Sequence, residues 1–242
     1  MKIYACGCSY TYGDELANPN ESAWPVLLAN KLQASIVNDS VNGGTNYRTV
    51  YQTIKNTKDN YDLYIIAWTN YSRLTFYKSD NHYETNFNPH LKHALYSSEK
   101  IYTEWGKTLY KHWYNDLYAF KLWLQQIMQL QKLLAGKNYI MINTAANSLS
   151  KWLAPKESFA ESIESLVSLN TLTDEQIFDE YEEIQYYISL IDHSNFYKWS
   201  EFYIKELSNH FKNGPRGHIL EEGHEYLANL MYEYVQNKIS HS

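Results

Sequence analysis

The sequence predicts an α/β protein: a three-layer α/β/α sandwich around a mostly parallel sheet of about five strands, with helical insertions. Three observations predict it. Over the first 70 residues, strand-like apolar runs alternate with helix-period segments in the order β-α-β-α-β, the rhythm of parallel strands joined by right-handed crossovers. The run "YDLYIIAWT" is apolar through its centre, as strands covered on both faces are. The chain has 242 residues, 44% hydrophobic and 20% charged, which suits one folded domain and argues against disorder.

The elements follow in order. "KIYACG" is a short buried strand ending at Gly7. "ESAWPVLLANKL" places Trp24, Leu27, Leu28 and Leu32 at helical spacing, with Pro25 in the first turn, where its missing N–H does no harm. "ASIVN" is the second strand. "TNYRTVYQTIKNT" spaces Tyr47, Val50, Tyr51 and Ile54 as a helix does. After the third strand, residues 71–105 are polar, aromatic and irregular, too long for an ordinary connection. "WGKTLYKHWYNDLYAFKLWLQQIMQLQKLLAG" reads as a long amphipathic helix closed by Gly136. "NYIMINTA" is a fourth strand. Residues 145–190 read as an insertion of short helices, including "TDEQIFDEYEEIQYY" with Thr173 as its cap. "YYISLID" reads as a fifth strand and "LEEGHEYLANLMYEYVQNKI" as the last helix. The chain is thus expected to be a single domain, 1–242, with insertions at about 71–105 and 145–190.

Composition excludes several classes. A net charge of −6 disfavours nucleic acid as a partner, since that needs a basic face. No apolar run reaches the length of a membrane span, and "MKIYACGCSY" opens like a core strand rather than a signal peptide. Cys6 and Cys8, two apart in an extended run, point the same way and are badly placed for a disulfide or a zinc site. A reducing, cytoplasmic compartment is the simple expectation. The 24 Tyr and 7 Trp are unusual, and such side chains serve as core or as a sugar- or protein-contacting surface.

Open parallel sheets bind ligands beyond the carboxyl ends of their strands. Three segments arrive there: "GCSYTYG", "NGGTN" and "WTNYSR". They offer the Ser9 hydroxyl, the backbone N–H groups of Gly43 and Gly44, and the Asn70 amide. "GPRGHILEEGH" adds His218 just before the last helix. A serine needs a base to become a nucleophile, and a tetrahedral oxyanion needs donors, so this set suits acyl transfer. The blander roles are a helix cap for Ser9, a turn for the glycines, helix-start charges for Asp14 and Glu15, and local packing for Cys8 and His224.

These segments resemble the four blocks of the SGNH hydrolases, the GDSL-like esterase and lipase superfamily, whose fold is flavodoxin-like. "GCSYTYG" matches the first block with Ser9 as nucleophile, and Cys8 stands where that family has aspartate. "NDSVNGGTN" matches the second, with Gly43 as oxyanion glycine. "AWTNYSR" matches the third, with Asn70 as oxyanion asparagine. "GHILEEGHEYLA" matches the fourth, and its register against Gly223 selects His218 over His224. The resemblance is strongest to phage-encoded members, which would place the protein in a host cytoplasm or a virion.

The family's aspartate three residues before the histidine is Pro215 here, so Asp192 is the candidate third member. Asn46 and Trp68, with Arg48 nearby, are candidate substrate contacts. The resemblance implies a serine esterase or deacylase without metal or organic cofactor. Its partner would be a small-molecule or glycan ester such as an O-acetylated sugar. The rival expectation is an inactive glycan-binding or virion structural module on the same fold.

Overall fold

A computed structural model describes residues 1–78, 81–87, 108, 114–144 and 174–239. The chain divides into two compact units. One holds Met1–Asn70, Leu133–Ala146 and His193–Ser242; the other holds Tyr71–Lys132 and Asn147–Asp192.

The first unit is built on four parallel strands: β1 (Lys2–Cys6), β2 (Ser35–Asn38), β3 (Leu63–Trp68) and, later in the chain, the strand Tyr139–Asn143. Their spatial order is β2-β1-β3 followed by Tyr139–Asn143. Registers such as Ile3 against Ile36 and Leu63, and Ile65 against Ile140, stack aliphatic side chains across the sheet. Every residue of β3 and of Tyr139–Asn143 is buried, which explains why β3 and Tyr139–Ile142 are apolar without a break. Between β1 and β2 run three helices: α1 (Ser9–Tyr12), α2 (Pro19–Ser22) and α3 (Trp24–Lys31). The helix α4 (Asn46–Asn56) joins β2 to β3.

Layers follow from the alternation of side chains along each strand. Ile3, Ala5, Ile65, Ala67, Ile140 and Ile142 share one face with Trp24 and Leu28 of α3 and with Leu227, Met231 and Val235 of the last helix, Glu221–Ile239. Cys6 lies on the opposite face, where α4 packs. The architecture is therefore helix, parallel sheet, helix, as expected.

Three local expectations are corrected. The stripe that marks α4 as a helix is only partly the buried face: Val50 is buried, but Tyr47, Tyr51 and Ile54 are exposed, and Asn46, Thr49 and Thr53 are buried in their place. "YYISLID" is no strand, because residues up to Ser189 belong to the helix Asp174–Ser189, whose Ile177 and Ile184 are buried at seven-residue spacing. A single parallel bridge, Met141 to Phe196, lies beyond it instead. Cys6 and Cys8 do not share a direction: Cys6 faces Asp39 and Arg48, whereas Cys8 lies in the core with Ile3 and Ala5 and meets Thr144 Oγ1 at 3.3 Å.

In the second unit, β4 (Leu74–Lys78) and β5 (Asn81–Phe87) pair antiparallel. The helix α5 (Asp116–Leu133) places Phe120 and Trp123 against Tyr71. Asp116 accepts hydrogen bonds from Tyr71 at 3.1 Å and Tyr114 at 2.5 Å. In chain order, β6 is Tyr139–Asn143, α6 is Asp174–Ser189 and α7 is Glu221–Ile239. Lys121 of α5 pairs with Glu180 and Glu183 of α6. Thr173, the proposed cap, and the rest of residues 145–173 lie outside the described residues.

Candidate active site

The strand order reverses direction between β1 and β3, so the loops leaving these strands open a crevice at their carboxyl ends. Ser9 follows β1 there and Asn70 follows β3. Cys8, in extended conformation, caps α1 with no side-chain bond, and Ser9 is the first helical residue. Its hydroxyl does not cap the helix. It lies 2.8 Å from His218 Nε2.

A carboxylate stands behind the ring. Glu15 Oε2 lies 3.0 Å from His218 Nδ1 and also accepts the His218 backbone N–H at 3.1 Å. An ionised carboxylate only accepts, so Nδ1 carries the proton, and Nε2 is left to accept from the Ser9 hydroxyl. Burial works to raise the Glu15 pKa. The backbone N–H groups of Arg216 and His218, and the imidazole itself, outweigh it and hold the carboxyl below its ordinary value. The Tyr10 ring lies 4.7 Å from the imidazole, centre to centre, and its hydroxyl donates to Gly217 O at 3.3 Å.

Glu15 reaches this place through the backbone. Gly13, in left-handed conformation at φ 89°, ends α1 after one turn, and its N–H closes onto Ser9 O. Glu15 is itself left-handed, at φ 73°. A non-glycine residue there carries strain of about 1–3 kcal/mol, and such strain clusters at functional sites. Opposite it, a Cβ at Gly214 would lie 2.6 Å from Glu15 Cδ, so that position has room only for glycine.

Asp192 is therefore not the residue behind the ring. It is exposed in the second unit, and its backbone exchanges two hydrogen bonds with the Gln131 side chain, at 3.0 and 2.8 Å. The helix-start role expected for Asp14 and Glu15 fails too, because α1 has ended at Gly13 before they begin.

The candidate oxyanion donors lie in the Ser9 turn and in the second and third loops. Gly44 packs on the Gly7–Cys8 turn so tightly that a Cβ would meet Gly7 O at 2.7 Å, and its N–H is taken by Val41 O. The N–H groups of Ser9 and Gly43 have no acceptor among the described residues. Asn70 is half-buried two residues past β3.

The three candidate substrate contacts have other work. Asn46 is buried and clasps the backbone of Thr69, accepting its N–H at 2.8 Å and donating to its C=O at 3.0 Å. It fixes the residue that precedes Asn70. Trp68 is fully buried in β3. Arg48 is buried and pairs with Asp39, through Nη2 to Oδ1 at 3.0 Å and Nη1 to the carbonyl at 2.6 Å. His224 is also structural: its Nδ1 accepts the Trp24 N–H at 3.0 Å, and burial lowers its pKa to about 4.

No family model matches the chain, and no curated protein does. Solved structures do. A psychrotrophic esterase, EstA, from Pseudoalteromonas sp. is 10% identical, covering 99% of this chain and 98% of its own, with a TM-score of 0.49. A member of the lipolytic G-D-S-L family from Veillonella parvula is 12% identical over 94% of both chains, with a TM-score of 0.45. A carbohydrate esterase family 2 enzyme with its carbohydrate binding domain, from Corynascus thermopiles (Myceliophthora fergusii), is 11% identical over 99% of this chain and 66% of that one, with a TM-score of 0.46. The resemblance to phage-encoded members gains no support from these structures. Among the described residues, no helix is long and apolar enough to cross a membrane.

Proposed function

We propose that the protein is a serine esterase or deacylase in which Ser9, His218 and Glu15 form the reacting chain. The observation that carries the reading is the continuous line from Ser9 Oγ to His218 Nε2 at 2.8 Å and from Nδ1 to Glu15 Oε2 at 3.0 Å. Ser9 Oγ attacks the ester carbonyl carbon while His218 Nε2 takes its proton. The oxyanion accepts hydrogen bonds from the Ser9 and Gly43 N–H groups and the Asn70 amide. The intermediate collapses to an acyl-serine, and Nε2 returns its proton to the departing alcohol. Water, deprotonated by the same nitrogen, then releases the acid. Glu15 holds the ring in the productive tautomer and stabilises the imidazolium.

The alcohol part is proposed to be a carbohydrate, and the support is the tyrosine-rich composition, 24 residues of which Tyr12, Tyr47 and Tyr51 are exposed and able to stack on sugar faces. The test is acetate release from p-nitrophenyl acetate and from O-acetylated oligosaccharides, with Ser9→Ala as background. Release from both supports the full reading. Release from the chromogenic ester alone removes the carbohydrate, and release from neither, by folded protein, removes the esterase.

A further inference from the structure

Two consecutive carboxylates face one imidazole. Glu15 is fully engaged: Oε1 accepts the Arg216 N–H at 2.8 Å, and Oε2 accepts both N–H groups of His218. Asp14 is not. Its Oδ1 takes Arg216 Nη2 at 2.8 Å, but its Oδ2 is buried, has no hydrogen-bond partner and lies 3.6 Å from His218 Nδ1. The Asp14 side chain is only 9% exposed, against 48% for Arg216. An anionic oxygen buried without a donor destabilises the fold. The single positive charge that can form in front of it is the imidazolium created when His218 takes the serine proton.

We infer that Asp14 is a second positioning carboxylate, which with Glu15 favours the protonated ring during reaction, while Arg216 limits how strongly the pair does so. The inference rests on the Ser9–His218 pairing of the proposed function. The other groups around the ring do not supply this charge. Ser9 and Tyr10 of α1 are neutral, His224 of α7 is held uncharged by burial, and Glu221 at the start of α7 is exposed. Asp14 acts through His218 and touches no reacting atom.

The test is NMR titration of the His218 ring in the full chain, read beside the pH profile of p-nitrophenyl acetate hydrolysis. Asp14→Asn removes a negative charge, so ring titration and the acid limb of kcat/KM are expected to move together to lower pH, by about 1 unit, with kcat reduced and KM little changed. Arg216→Gln removes the opposing positive charge, so both are expected to move to higher pH. Opposite movements cannot come from general loosening of the site. A ring titration unmoved in folded Asp14→Asn overturns the proposal. If Asp14→Asn does not fold, Arg216→Gln decides alone, and a movement to lower pH or none overturns it. Ring titrations that move oppositely in a protein without ester hydrolysis leave the two-carboxylate arrangement standing and remove the esterase reading instead.

Discussion

One oxygen of Glu15 takes both N–H groups of His218, the ring Nδ1 at 3.0 Å and the backbone at 3.1 Å. The ring can therefore neither flip nor change tautomer without breaking a charge-assisted bond. Glu15→Gln keeps the shape and loses the charge, and its amide can present a donor to Nδ1. Activity is expected to fall roughly 10²–10⁴-fold. Steady-state kinetics, with circular dichroism to confirm the fold, checks this.

Gly214 is where the structure leaves no room behind that carboxylate. Gly214→Ala puts a Cβ within 2.6 Å of Glu15 Cδ. The expected outcome is a displaced carboxylate, a stability loss of about 1–3 kcal/mol and a drop in kcat. Urea unfolding and kinetics on one preparation measure both.

Asn46 and Asn70 separate by readout. Asn46 holds the Thr69 backbone at both ends, so Asn46→Ala is expected to lower stability by about 1–3 kcal/mol and disturb the loop that carries Asn70 as well. Asn70→Ala is expected to lower kcat roughly 10²–10³-fold. An unchanged kcat in folded Asn70→Ala contradicts its assigned role.

His224 gives the fold a pH dependence with a definite sign. Its pKa drops from 6.5 to about 4 in the folded state, through burial. The unfolded chain therefore binds more protons between these values, and stability falls as pH goes from 6.5 down to about 4. The loss due to this group reaches roughly 3 kcal/mol. Glu15 adds to the acid side: its depressed pKa contributes stability above the ordinary carboxylate value, lost as pH falls through the folded one. In His224→Gln, whose amide oxygen can still accept the Trp24 N–H, the slope between pH 6.5 and 4 is expected to flatten. Urea unfolding across that range reads it.

Much of this was legible because it depends on local pattern. β3 declares itself by an unbroken apolar run, and Ser9 and His218 by their places after a strand and before a helix. The residues that escaped depend on backbone turns or distant partners. Glu15 reads as a helix-start charge in "SYTYGDEL", and only the left-handed turns at Gly13 and Glu15 bring it back to His218. Pro215 stands where the resemblance expects an acid, and Asp192, the substitute chosen from the sequence, is not the carboxylate that meets His218. Asn46 could not be told from a substrate contact, because its partner, Thr69, is 23 residues away. The partly outward stripe of α4 shows the same limit: periodicity gives the helix, but only packing decides its buried face.

The central claim is that Ser9 is activated by a His218–Glu15 couple. Its most direct measurement is the rate of Ser9 modification by a fluorophosphonate probe, with the labelled peptide identified by mass spectrometry. The account expects labelling of wild type at Ser9, none in Ser9→Ala or His218→Ala, and a strongly slowed rate in Glu15→Gln. Folded wild type that takes no label, or Glu15→Gln that labels as fast as wild type, contradicts it.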